Sequence, residues 1–569
     1  VGAVRAVRVI TEVGAVDRPF DYNLTEASAH TGLGDRVRVD FNHRSVRAWV
    51  VGELDARSEL KAITKWLGYG PAPSLLDLLA WASERWYSPL SRFLISSSPK
   101  RLVTSLPDLP QAPTLEQRVR ESAAFLAPGV WRVSPTTDPL AIVLGAYVVT
   151  RASPGSLLVL VPTESWANRL RGRLEQRGLP VASGEQEWDR MRAGWPVVVG
   201  SRGAALAPVP RVAGAVLVDA DDEAYLSEAA PTWDAFRMVR ERCRRDDAPW
   251  WATSVAPSPL LLGGSKMQSL EDVASGWPRV RVIDRRQSDP RDGVLSREAL
   301  DAAHRALEVP DSIAVAVVLQ RLGTGRLFAC RKCGELARCA QCAMAEEEVG
   351  EQLACRDRHE LRANFCRACG ATNLKRVRVG VTTLANDVAA QLGQDVSELT
   401  SSSDPTQALA RVVVGTEAIW QRVRHCGVVI FVDFDQYLLA PRESARRSAL
   451  TAVAKAGRLV GARREGRGEV VIQTRRGNDP VLRALLSGDV EEIVLEDDAT
   501  AALLALPPYG GLAEVSGPGA SAFVAQLVAP VSVHATPLGF EARAGSWEEL
   551  TAALRGVSRP SEKVRVAVR

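Results

Sequence analysis

CRKCGELARCAQC, Cys330 to Cys342, decides the fold, read together with CRDRHE at 355–360 and CRAC at 366–369. Seven of the nine cysteines lie between Cys330 and Cys369, so they are clustered rather than scattered. Two sulfurs spaced CxxC can reach one tetrahedral zinc ion while backbone N–H groups support them. Cys330/Cys333 and Cys366/Cys369 are each followed by glycine, and together they predict one closed four-thiolate zinc site. The alternative, free or disulfide-bonded cysteines, fits clustered pairs in an intracellular-looking chain less well. Cys339, Cys342 and Cys355 remain as three ligands in need of a fourth. Arg358 stands where a sulfur would pair with Cys355, and a permanently charged guanidinium is no ligand. His359, next along, is within ordinary ligand spacing of Cys355. The other reading is an emptied second site with His359 in solvent. Between Arg326 and Arg378 there are eleven Lys or Arg against seven Asp or Glu. That charge suits nucleic acid or merely a solvated surface.

Outward from the cluster, 569 residues are too many for one core and imply about three to five domains. With 46% hydrophobic and 24% charged residues and a net charge of +4, the composition is that of a soluble globular protein. The charge permits a nucleic-acid partner without demanding one. AIVLGAYVV (141–149) is far too short to span a bilayer, and VGAVRAVRVI reads as a strand rather than a signal peptide. No membrane partner is expected, and the expected location is the cytoplasm. Isolated Cys243 and Cys426 read as buried small hydrophobes.

Residues 1–105 alternate as strands of a small β-rich domain, followed by the helical pattern SLLDLLAWASERWYS. LPDLPQAP (106–113) reads as a linker. SLLVLVP (156–162), PVVVGS (196–201) and GAVLVDADD (214–222) are continuous apolar runs, as strands buried on both faces require. They define a doubly wound α/β lobe over 114–283. IAVAVVL (313–319), RVVVGTE (411–417), GVVIFVDFD (427–435) and GEVVIQT (468–474) define a second lobe over 284–325 and 376–488. The cysteine module, 326–375, is inserted in it, and 489–569 reads as an α+β C-terminal domain. The fold class is therefore multidomain α/β.

Interleaved CxxCG, CxxC, Cys355 and CxxCG followed by GVTTLANDVAAQL (380–392) resemble the primosomal protein N′ (PriA) family of replication-restart proteins. DRPFDYNL (17–24), DRVRVDFN (35–42), LKAITKWL (60–67) and WASERWYSPL (81–90) extend the resemblance in order. It implies two Zn²⁺: one on Cys330, Cys333, Cys366 and Cys369, the other on Cys339, Cys342 and Cys355 with His359 replacing a lost sulfur. It also implies an N-terminal domain that grips the 3′ end of a nascent leading strand. Phe20 would stack on the base, Asp21 accept the hydroxyl proton and Lys61 meet a phosphate. Asn42, in place of a family glycine, would narrow the pocket. Without the resemblance, Phe20 and Tyr22 read as strand core.

The resemblance further implies two RecA-like helicase lobes, here degenerate. At the Walker A position the chain offers LGAYVVTRASPG (144–155), with no lysine and no glycine-rich anion nest. The Walker B counterpart is VDADDEAYL (218–226), which keeps Asp219 as a potential Mg²⁺ ligand but has Ala220 in place of glutamate. The arginine motif has decayed to LVGAR (459–463), with AGR at 456–458 as an alternative register. ATP hydrolysis is therefore not expected, while binding of a nucleotide without turnover is left open by the sequence. This pattern resembles the actinobacterial branch of the family, which keeps the fold without intact helicase motifs. The expected function is recognition of abandoned or stalled forks and help in primosome assembly and helicase reloading. Expected partners are branched DNA, single-strand DNA-binding protein, and the replicative helicase or its loader, in the nucleoid. The alternatives are an active ATP-dependent 3′–5′ helicase and a zinc-containing protein-interaction scaffold.

Overall fold

A computed structural model describes the chain outside residues 1–4, 14–17, 111–116, 118–120, 122, 228–230, 271, 290–291, 310–313, 321–327, 342–345, 350–351, 356–358, 377–380, 401–402, 404–409, 441 and 537–538. Cys342, which the spacing assigned to the second zinc, lies outside the described residues. The chain divides into two compact units: residues 1–131, 138–268 and 500–569, and residues 132–137 with 269–499. Among the described residues no helix is long and apolar enough to cross a membrane.

In the first unit, strands β1 Arg5–Thr11, β2 Phe20–Asn23, β3 Arg36–Phe41, β4 Arg44–Asp55 and β5 Lys65–Gly68 form a sheet in the order β2-β1-β4-β3-β5. Every neighbour is antiparallel. Val7, Val9, Val37, Val39 and Val50 pack into one core under it, the period-two consequence of the alternation in RVRVDF. The β3–β4 hairpin turns on Asn42 and His43, at φ +48° and +60°. A two-residue turn of that hand requires two left-handed residues, and asparagine tolerates the conformation well.

The same unit carries a sheet of β6 Gly129–Arg132, β7 Ser156–Leu160, β8 Val181–Ala182, β9 Val197–Gly200, β10 Val212–Leu217, β11 Trp250–Ser254 and β12 Gln268–Ser269. Its order is β12-β6-β11-β10-β7-β9-β8, with parallel pairing from β11 through β8. The C-terminal sheet is antiparallel: β24 Gly511–Ser516, β25 Ser532–Thr536, β26 Gly539–Ala544 and β27 Arg565–Val568, in the order β25-β26-β24-β27.

The second unit holds a wholly parallel sheet, β13-β23-β22-β14-β21-β20. Its strands are β13 Arg279–Asp284, β14 Val315–Val318, β20 Val396–Leu399, β21 Val412–Gly415, β22 Val428–Phe431 and β23 Glu469–Thr474. Between β14 and β20 the chain makes the cysteine module. There β15 Phe328–Cys330 pairs with β19 Leu374–Arg376, and β16 Glu346–Val349, β17 Gln352–Cys355 and β18 Leu361–Ala363 form a small sheet.

Two boundaries differ from the sequence reading. The lobe boundary at 283 falls inside β13, which pairs with β23 along its whole length and so belongs to the second sheet. The second compact unit runs on to 499, past the boundary expected at 489. The stretch set against Walker A in the sequence is largely helical. Leu144–Thr150 lie within the largely buried helix Pro139–Thr150, so the strand–loop–helix frame is β6, then VSPTTD (133–138), then that helix.

Candidate metal centres and N-terminal sheet

The two CxxCG knuckles close because glycine follows each. Gly334 and Gly370 sit at φ +75° and +71°, a left-handed conformation that a Cβ would disfavour. Their N–H groups donate to the carbonyls of Cys330 and Cys366 at 2.9 and 2.8 Å. The β15–β19 pairing brings the knuckles together (Cys330 opposite Leu374). Cys330 Sγ then lies 3.5 Å from Cys369 Sγ, and Cys333 Sγ 3.5 Å from Cys366 Sγ. Those separations exceed a disulfide bond of about 2.05 Å. They approach the edge of about 3.8 Å that a tetrahedron of zinc–sulfur bonds of roughly 2.3 Å would have. N–H groups of Cys333 and Lys332 directed at the Cys330 sulfur lower its thiol pKa, while hydrogen bonds from the neighbouring sulfurs raise that of Cys333.

A second group forms at the end of the small sheet. His359 Nδ1 lies 3.5 Å from Cys355 Sγ and 3.8 Å from Cys339 Sγ. The His359 N–H also donates to Cys355 Sγ at 3.4 Å. In each group every ligand atom lies within 4.8 Å of the others, so both donor sets could hold a metal ion. Beneath the second group, sequence reasoning missed a buried ion pair, Glu346 on β16 with Arg362 on β18. Only cross-strand pairing reveals it, because sixteen residues separate the two.

The N-terminal candidates divide between two arrangements. Phe20 is half-buried with its ring centroid 4.9 Å from that of Phe41, just before the Asn42 turn. The Arg18 guanidinium lies 5.1 Å from the Phe20 ring. Lys61 Nζ pairs with Asp40 Oδ2 at 2.9 Å, both exposed. Asp21, adjacent to Phe20 on an extended strand, points to the other face. There Arg8 donates to both its oxygens at 2.9 and 3.2 Å, holding the carboxyl below its usual range. Arg8 and Asp40 are the partners that sequence reasoning did not single out; the charged outward positions of β1 and β3 were their only signal.

Asp219, just beyond β10, is buried at φ +50°. Its neighbour Asp221 accepts the Ser258 N–H at 3.0 Å. In loop 133–138 no lysine is present, and Asp138 caps the helix through the Leu140 N–H at 3.0 Å. Arg458 donates to the Pro135 carbonyl at 3.0 Å, and Arg132 pairs with Asp489 and Glu491 at 3.0 and 2.9 Å.

Comparison with known proteins gives three kinds of match. The model for the 3′ DNA-binding domain (3′BD) of PriA matches residues 8–99. Replication restart protein PriA of Treponema pallidum is 24% identical over 569 residues, covering 87% of this chain and 84% of that protein. The Thermotoga maritima protein of the same name is 24% identical over 396 residues, covering 64% and 53%. That of Bacillus subtilis is 23% identical over 399 residues, covering 63% and 49%. The chain thus spans about half the length of the last two. Among solved structures, a DEAD box protein from Methanococcus jannaschii aligns with TM-score 0.31 at 12% identity, covering 65% of this chain and 86% of that one. The helicase MrfA bound to DNA and AMPPNP aligns with TM-score 0.35 at 12% identity, covering 67% and 49%. The matched domain is folded as the N-terminal sheet, and the chain is similar to replication restart protein PriA along most of its length.

Proposed function

We propose that the chain recognises abandoned or stalled replication forks and helps reassemble the primosome and reload the replicative helicase, without unwinding DNA itself. The observation that carries this reading is the match of residues 8–99 to a 3′ DNA-binding domain. Phe20, beside Phe41 and the Asn42 turn, supplies an aromatic face for the terminal base, and Lys61 a cation for the phosphate. Asp21, on the opposite face of the strand and bound to Arg8, is set apart from that contact. The two donor sets hold two Zn²⁺ as structural ions, the first on Cys330, Cys333, Cys366 and Cys369. The second is held by Cys339, Cys355 and His359, with Cys342 as the remaining ligand. Single-strand DNA-binding protein and the replicative helicase or its loader are the protein partners in this reading.

The absence of unwinding rests on the loop at 133–138 and on Ala220. A cradle of amides and one lysine would give several charge-assisted hydrogen bonds worth roughly 1.5–3 kcal/mol each, and this loop contains no lysine.

Binding to model forks with and without a 3′ end at the junction tests the reading, with phosphate release from ATP followed in the same preparation. Tighter binding to the fork that has the 3′ end is expected, with no DNA-stimulated phosphate release. Phe20→Ala should weaken that fork alone by about tenfold, a loss within the roughly 1–3 kcal/mol of one base–aromatic stack. Phe20→Tyr should retain the preference. Equal affinity for forks and blunt duplex would refute fork recognition. Phosphate release abolished by Asp219→Ala would instead establish an active ATPase.

A further inference from the structure

At the carboxyl ends of β13 and β23, the second unit has a cavity of about 340 Å³ roofed by the cysteine module. Its lining holds four arginines, Arg286, Arg338, Arg475 and Arg476, against two carboxylates, Glu335 and Asp479. Arg286 lies two residues past β13, and Arg475 and Arg476 directly follow β23. Crevices outside the carboxyl ends of strands are where open α/β sheets bind ligands. A second cavity of about 290 Å³ adjoins it across Glu335, Leu336 and Arg338, and adds Arg362 and Arg367.

The arginines are positioned rather than loose. Asp435, 1% exposed, accepts the Arg475 N–H at 2.9 Å and the Thr474 hydroxyl, which fixes the turn leaving β23. Asp479 and Asp284 hold Arg476 and Arg286 from behind. Arg338 is half-buried, and its Nε has no hydrogen-bond partner among the described residues. A buried guanidinium N–H left unmatched is costly, and burial lowers the pKa of Arg338 although Asp435 and Glu335 are near. An anion in the cleft would satisfy that N–H.

We propose that this arginine cleft between the cysteine module and the second sheet binds the phosphates of a nucleic-acid strand. Guanidinium forks match phosphate oxygens two at a time. Two adjoining cavities, rather than one closed pocket, suit a run of phosphodiesters better than a single nucleotide. The inference rests on the DNA-binding reading above but assigns contacts to residues outside the N-terminal sheet.

The test uses the full chain and a 20-nucleotide oligothymidylate, with affinity measured from 50 to 200 mM salt. Arg338→Ala and Arg475→Ala together should weaken binding about tenfold. Each lost contact should flatten the slope of log affinity against log salt by about 0.7. Arg338 adjoins Cys339, so Arg475→Ala alone, with its zinc content verified, serves as the variant that leaves the metal ligands untouched. It should show half of the slope change. Unchanged affinity and slope in both variants, with wild type binding normally, would overturn this inference alone. Wild type that shows no salt-dependent binding would overturn the DNA reading with it. Two further arms use ATP and decaglutamate as probes. If the variants lose either of those while keeping the oligonucleotide, the cleft serves a free nucleotide or an acidic protein instead, and the inference fails.

Discussion

Replacing Cys366 with serine is expected to remove one zinc ion per chain and to unfold the cysteine module. The reason lies in how little else holds that module together. Its core is Phe328, Ala337 and Leu353, with Leu374 packed beside them. Segments shorter than about 70–80 residues with so small a core need a staple such as a structural metal. Apparent binding energies for structural zinc in small peptides run to about 10–16 kcal/mol, far above what three buried side chains contribute. Cys366 is itself buried, and its N–H donates to the Ala371 carbonyl at 2.8 Å, so the knuckle and the β15–β19 pairing depend on one another. Metal analysis should read about two ions in wild type and no more than one in Cys366→Ser, with new protease cleavage between 328 and 376. His359→Ala should also lower the count from two to one, but leave the knuckles protected. A wild-type count near one, unchanged by His359→Ala, would show the second donor set to be empty. A Cys366→Ser protein with full metal and intact protease resistance would refute the first site.

The legibility of the fold followed burial. SLLVLVP, PVVVGS, GVVIFVDFD and GEVVIQT became β7, β9, β22 and β23, because a strand covered on both faces leaves no polar alternation to misread. RVRVID alternates, as an edge strand does, and its assignment to β13 of the second sheet required the observed partner β23. AIVLGAYVV is apolar on every side, and periodicity cannot separate a buried helix from a buried strand in so short a run. It proved helical. At the metal centres, local spacing was enough to anticipate the knuckles and to single out His359, since each knuckle is made within a few residues. Arg8 against Asp21, Asp40 against Lys61, and the arginine cleft are built from strands distant in sequence, and no local pattern announces such pairings.

Arg362→Ala is expected to destabilise the module by about 3–5 kcal/mol, because it would leave Glu346 buried without its partner. Glu346 and Arg362 are 1% and 5% exposed, and Arg362 Nε donates to both carboxylate oxygens at 2.9 and 3.0 Å. The same guanidinium also donates to the carbonyls of Ala363 and Phe365 at 3.1 and 2.5 Å. Arg367 approaches Glu346 only to 3.7 Å and is 36% exposed, too distant to take over those bonds. The effect should reach the second metal group through the sheet. Glu346 stands opposite Cys355 across β16–β17, and His359 lies in the connection from β17 to β18. Releasing the pair frees that connection while β15 and β19, which carry the knuckles, stay paired. A chelator should therefore extract one of the two ions much faster from Arg362→Ala than from wild type, with the other unchanged. The double replacement Glu346→Leu with Arg362→Met removes both charges and should recover most of the stability, as apolar substitutes for buried ion pairs often do. Equal extraction rates in wild type and Arg362→Ala would mean that the pair does not support the second site.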